Sequence, residues 1–410
     1  MKLRISASFR PPPLFLTTLL YFDHNASTPV APEVSDAMAV ALRQVFGNAS
    51  STHREGQVAR QYIENARRTI AAYLNASPTE VVFTSGGTES NNLAILGLCR
   101  ALPRDRKHAI TSAIEHPAVL EPFHQLEREG VEVTYLPVNA SGTINVEELE
   151  RHLRPETVLV SVMHANNETG VMQPIGEIGA LVRNRRADGQ TIYFHSDGVQ
   201  AFGKSEVDVK LLGVDLYSLS AHKIYAPKGV GALFIGTGVP LRGIQLGGRH
   251  ERERRAGTEN IPGAIAFARA VELCAFDNRQ QLAALRDQFE MHVLSMVDDA
   301  EVNGAGVHRL PNTSNLLFHG VSGEALLIAL DVRGMAVSTG SACSSGAVEP
   351  SHVLLAMGRT REGAKSSIRF SFGRYNSEDE VDQLAETAIT LVRQLRRTGR
   401  NALPREVQLV

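Results

Sequence analysis

Cysteine is scarce in this chain. Only three occur among 410 residues, Cys99, Cys274 and Cys343, far apart and without C-x-x-C spacing. That argues against a disulfide framework or a structural zinc site, and for a reducing compartment. An excess of charge is missing too. The formal net charge is −2, which leaves no basic footprint for nucleic acid and no acidic tail. No apolar run approaches the ~20 residues that cross a bilayer, so no membrane association is expected.

What is present is ordinary globular material, 43% hydrophobic with 21% charged residues. A chain of 410 residues is too long for one core, so two domains are expected. Residues 1–20 are basic, and Pro11, Pro12 and Pro13 break their apolar stretch, which fits a signal peptide poorly. They read as a loose extension of a cytoplasmic protein, with a transit peptide as the alternative.

Between residues 80 and 236, β-like runs (Val81–Thr84, Ala109–Ser112, Val131–Leu136, Thr157–Met163, Thr191–His195, Leu216–Ser220, Gly231–Ile235) alternate with amphipathic stretches such as Pro117–Glu129 and Ile175–Arg186. The alternation predicts an α/β domain with a mostly parallel seven-stranded sheet covered on both faces. Its ligands belong at the carboxyl ends of the strands. Beyond residue 257, helices (Ile261–Ala275, Gln280–Val297, Glu378–Arg397) and short strands (Asn315–Phe318, Ala336–Ser338, Ile368–Phe372) predict a smaller α+β domain. The expected bounds are 1–20 for the extension, 21–270 for the large domain and 271–410 for the small one, the first residues after the extension being free to join the latter.

Lysine is also rare. There are seven, Lys2, Lys107, Lys204, Lys210, Lys223, Lys228 and Lys365, and most sit in polar surroundings that read as solvated. Lys223 differs, because Ser220-Ala221-His222-Lys223 follows a strand and aims an amine, with a hydroxyl and an imidazole, at the ligand edge of the sheet. That suits a Schiff base to an aldehyde cofactor bearing a phosphate; a surface lysine reads equally well. The turn Thr84-Ser85-Gly86-Gly87-Thr88-Glu89-Ser90 brings backbone amides and a hydroxyl to a helix start, where an anion is favoured. Alone, it is as well a plain strand–helix turn. Asp197 could pair with a pyridine nitrogen or cap a helix, and Gln200 could donate to a ring hydroxyl. His116 could stack and shuttle protons, or be a polar cap.

Taken together, Lys223 with Ser220 and His222, the Gly87–Thr88 turn, Asp197 with Gln200, and His116 resemble the fold-type I pyridoxal-phosphate enzymes of aminotransferase class V. Within that class four further segments look like the cysteine desulfurases of the NifS/IscS type: Tyr21-Phe22-Asp23-His24-Asn25-Ala26-Ser27-Thr28-Pro29, Gly47–Ser51, His164-Ala165-Asn166-Asn167-Glu168-Thr169-Gly170 and Arg255–Asn260. The resemblance runs from Tyr21 to the last helix. Its deciding segment is Ser338-Thr339-Gly340-Ser341-Ala342-Cys343-Ser344-Ser345-Gly346. A cysteine in such a Gly/Ser/Ala run is expected on a mobile, solvated loop, whereas Cys99 and Cys274 read as buried.

The resemblance implies that pyridoxal 5'-phosphate is held by Gly87, Thr88, His116, Asn167, Asp197, Gln200, Ser220, His222 and Lys223, with Thr258 reaching the other subunit of a homodimer. It implies Lys223, His116 and Cys343 as catalytic, and Asn167 with Arg369 at the carboxylate of L-cysteine, a role that suits a planar guanidinium. No metal is implied. The product would be L-alanine and a persulfide on Cys343, passed to a sulfur acceptor or scaffold protein for iron–sulfur or other thio-cofactor assembly. The alternatives are a selenocysteine or cysteine-sulfinate enzyme, an aminotransferase indifferent to Cys343, and a non-catalytic sulfur relay without a visible absorbance band. Gly198 stands where many relatives have alanine, and by size alone no consequence is expected.

Overall fold

The computed structural model describes residues 19–103, 107–274, 278–340 and 349–402. Its main sheet holds seven strands: β2 (Val81–Thr84), β3 (His108–Ser112), β4 (Glu132–Leu136), β5 (Thr157–Ser161), β6 (Tyr193–Asp197), β7 (Leu216–Ser220) and β8 (Gly231–Ile235). Their order is β2-β8-β7-β6-β5-β3-β4. Only β8 runs against its neighbours, pairing antiparallel with both β2 and β7.

Most of these strands are buried on both faces, the edge strand β4 excepted. Alternate side chains enter two different cores. Ile110, Val160, Phe194 and Tyr217 join one cluster, while their chain neighbours Ala109, Leu159 and Leu216 join the other. Helix 87–101 and helix 117–128 cover the second face. Helices 54–73 and 261–274 cover the first.

A third core lies under the remaining strands. There β9 (Ala300–Val302), β10 (Thr313–Phe318) and β12 (Ser367–Ser371) form an antiparallel sheet in the order β12-β10-β9. Helix 378–402 buries Val381, Leu384, Ala385, Ala388, Leu391 and Val392, a three-to-four-residue spacing that makes one apolar face. The amino-terminal strand β1 (Leu20–Tyr21) pairs with β11 (Met335–Ala336), and Leu20 and Phe22 pack in this third core.

Several expected strand bounds shift; Thr157–Met163 ends at Ser161, and Asn315–Phe318 begins at Thr313. The run expected to end at His195 continues to Asp197, because buried His195 finds partners inside the sheet: Nδ1 meets Ser161 Oγ at 2.8 Å and Nε2 meets Ser218 Oγ at 3.0 Å. The strand expected over Ala336–Ser338 stops at Ala336, and Ser338 instead bridges the backbone of Arg369.

Candidate active site

At the carboxyl ends of β2, β3, β5, β6 and β7 lies a cavity of about 370 Å³, within the range of small-molecule sites. Its wall contains nearly every residue singled out in the sequence: Gly87, Thr88, His116, Asn167, Asp197, Gln200, Ser220, His222, Lys223 and Arg369. Thr258 is exposed and not part of this wall. Cys343 lies outside the described residues, although Gly340, three positions earlier, lines the cavity.

Lys223 closes a one-turn helix after β7. Its amine donates to the carbonyls of Asn25 at 2.6 Å and Ala26 at 2.7 Å. Burial, helped by the Arg369 guanidinium, pulls that amine down to about 8. Asp197 is the last residue of β6, and its carboxylate accepts from Asn91 Nδ2 at 2.7 Å and from the amide of Val199 at 2.9 Å. His116 does cap helix 117–128, Nδ1 accepting from the Ala118 amide at 3.0 Å, yet it also faces the cavity. Burial lowers its pKa, so the neutral ring carries its proton on Nε2.

Arg369 is a buried residue of β12, not one of the many surface arginines. Nη2 donates to Asp23 Oδ1 at 2.7 Å, Nη1 donates to the Asn167 carbonyl at 2.9 Å, and Nε is buried without a partner among the described residues. Next to Asn167, the buried carboxyl of Glu168 accepts from Ser351 Oγ at 2.5 Å. A Cβ on Gly340, where φ is +85°, would stand 2.9 Å from the same oxygen. Residues on both sides of 341–348 therefore converge on Glu168.

Four polar residues escaped the sequence reading. Asn91 lies one helical turn after Gly87 on the same helix face, the available signal for its contact with Asp197. Asn25, inside a quoted motif but given no role, links both parts of the chain: Nδ2 donates to the Asn167 carbonyl and to Thr313 Oγ1. Glu115 is fully enclosed, and burial pushes its carboxyl up to about 8. Lys204, read as solvated, is buried, its amine donating to Asn25 Oδ1 at 3.0 Å and to Gln200 Oε1 at 2.9 Å.

Gly198 also departs from expectation. A Cβ there would meet the Tyr217 ring at 2.0 Å, so glycine and alanine are not interchangeable behind Asp197 in this chain. Of the described cysteines, Cys99 is buried and Cys274 half-buried, and burial pushes their thiols up to about 12 and about 11. Cys274 is thus less enclosed than expected.

A doubly covered, mostly parallel sheet with a lysine and an aspartate converging at its strand ends fits the fold-type I scaffold that the sequence resemblance implies. The family described as Aminotransferase class-V matches residues 20–384. "Cysteine desulfurase IscS" of Dictyoglomus turgidum is 45% identical over 92% of this chain and 95% of that protein. The IscS cysteine desulfurase of Methanosarcina thermophila is 44% identical over 92% and 93%. Among solved structures, a "NifS-like protein" superimposes with a TM-score of 0.86 at 36% identity, covering 92% of this chain and all of that one (100%). One described as "SspA in complex with cysteine" gives a TM-score of 0.77 at 36% identity over 87% and 100%. The chain belongs to the class-V aminotransferase family and, within it, to the cysteine desulfurases.

Proposed function

We propose that this chain is a pyridoxal-phosphate-dependent cysteine desulfurase that converts L-cysteine to L-alanine and leaves the sulfur as a persulfide on Cys343. One observation carries the reading: the Lys223 amine, the Asp197 carboxylate and the Arg369 guanidinium share a single cavity with Gly340, the near root of the Cys343 segment.

The donor set fits pyridoxal phosphate. Asp197 offers a carboxylate for a protonated ring nitrogen, held in place by two amide donors. Gln200 and Asn167 stand for the ring hydroxyl. Thr88, Ser220 and His222, with the amino end of helix 87–101, offer neutral donors for a phosphate, and the one acid of that turn, Glu89, is neutralised by Arg255 at 2.8 Å. When bound, the cofactor supplies an aldehyde for amines and an electron sink for the bond broken at Cα.

The chain's own residues supply the rest. Arg369, with Asn167, binds the substrate carboxylate by its planar fork. Lys223, with an amine near 8, is partly uncharged at neutral pH and removes the α-proton. His116 offers its Nε2 proton to the same space. The Cys343 thiolate attacks the substrate sulfur; the sulfur–sulfur bond forms as the carbon–sulfur bond breaks, a proton is taken up at the β-carbon, and Lys223 returns a proton to the α-carbon to complete alanine.

The same reading makes the enzyme a homodimer, with Thr258 serving the partner's phosphate site. It acts in the cytoplasm and passes sulfur to an acceptor or scaffold protein for iron–sulfur or other thio-cofactor assembly. Residues 21–270 and 271–410 are its two domains in this reading; separate apolar cores support two domains, with Phe22 packed in the small core and Val271 and Leu273 in the large one. Among the described residues no helix is long and apolar enough to cross a membrane.

The test is incubation with L-cysteine and a thiol reductant. Equal sulfide and alanine, both lost in Cys343→Ala, are expected. A yellow wild-type protein that releases alanine without sulfide would overturn the reading.

A further inference from the structure

Lys204 is buried, yet the two oxygens that receive its amine, Asn25 Oδ1 and Gln200 Oε1, are neutral amides. A cation enclosed without a carboxylate against it costs stability. Burial, with the charges of Lys223 and Arg369 nearby, holds the Lys204 amine well below the ordinary lysine range. What this costly group does is geometric. The amine donates to both amides, and each hydrogen bond needs an oxygen at its far end, so both amides turn their oxygens to it.

Each amide is then fixed end for end. Gln200 points Nε2 the other way, where it donates to the Asn25 carbonyl at 2.9 Å on the cavity side. Asn25 points Nδ2 at the Asn167 carbonyl and Thr313 Oγ1. A flip of either amide would set N–H against N–H. The Asn25 carbonyl, steadied by this arrangement, is the one that receives the Lys223 amine at 2.6 Å.

We propose that Lys204 is a positioning residue: it locks the Gln200 amide with its donor towards the cofactor's ring hydroxyl and steadies the Asn25 carbonyl under Lys223. The proposal rests on the pyridoxal-phosphate reading and adds to it a second lysine that touches neither cofactor nor substrate.

A double-mutant cycle of Lys204→Met, Gln200→Ala and both together tests it on the protein titrated with pyridoxal phosphate. The readouts are the position of the visible band and the cofactor dissociation constant. Losing one donor to a charged acceptor weakens binding about tenfold. That loss, with a displaced band, is expected in each single variant and no further in the double. An unchanged band and affinity in Lys204→Met, or losses that simply add, overturn the proposal. If Lys204→Met does not fold, Lys204→Gln gives the second route, because an amide there both donates and accepts and no longer fixes its neighbours end for end. Folded Lys204→Gln protein should then bind the cofactor about tenfold more weakly, and wild-type affinity with an unmoved band would overturn the proposal. Wild-type protein without any visible band would sink the cofactor reading itself, a separate failure.

Discussion

The Arg369 guanidinium and the Asp23 carboxylate meet at 2.7 Å, tying β12 to the chain just after β1. Arg369 is therefore already oriented, with both ends of its fork held and Nε without a partner among the described residues. Arg369→Lys keeps the charge but loses the fork. Hydrogen bonds to charged groups contribute ~1.5–3 kcal/mol each, so kcat/KM for L-cysteine should fall about 10- to 100-fold. Steady-state kinetics with the cofactor saturating would show it, and an unaltered kcat/KM would remove Arg369 from the substrate site.

Lys223 sets a pH limb. Its folded amine lies near 8 because burial disfavours the charged form. Only the uncharged amine attacks an aldehyde, so capture of pyridoxal phosphate by cofactor-free protein should accelerate as pH rises from 7 to 9, with a midpoint near 8. In an unfolded chain a lysine titrates near ~10.4. The folded protein thus binds fewer protons between these values, and this group's destabilising contribution, full below 8, is relieved as pH rises towards 10. A capture rate flat from pH 7 to 9 would contradict the assignment.

Behind Asp197, size alone misleads. Gly198→Ala drives a methyl into the Tyr217 ring, and overpacking of this kind costs about 1–3 kcal/mol. Thermal unfolding of the cofactor-free variant should show the loss, and Gly198→Ala combined with Tyr217→Leu should recover most of it. Tyr217 also meets His164 Nδ1 at 2.8 Å, so Tyr217→Leu alone should be destabilising as well. Additive losses in the double variant would mean that the ring and the methyl do not compete.

Arg67 and Glu251 form a buried two-point ion pair, at 2.7 and 2.9 Å, and Glu251 also accepts from the Phe83 amide of β2. Arg67→Met would leave the carboxylate buried without its cation. Such a break costs about 3–5 kcal/mol, readable as a lower midpoint in denaturant unfolding. Arg67→Met with Glu251→Gln should lose less.

The strands and the catalytic candidates were legible because they depend on local pattern. Apolar runs such as Leu216–Ser220 announce strands covered on both faces, and Lys223, Asp197 and His116 stand out as polar residues where such runs end. The sequence by itself determined this alternation, the family likeness and the cysteine at position 343. Only the tertiary structure decided which polar side chains leave water. Lys204 reads in sequence as one more solvated lysine, and Asn25 as one more surface asparagine, yet both are buried. Burial arises when segments far apart in the chain close over them, as β1 and its following turn do over residues from both cores. Gly198 makes the same point for packing: its need for no side chain is set by Tyr217 on the neighbouring strand, a contact between strands that no local pattern encodes.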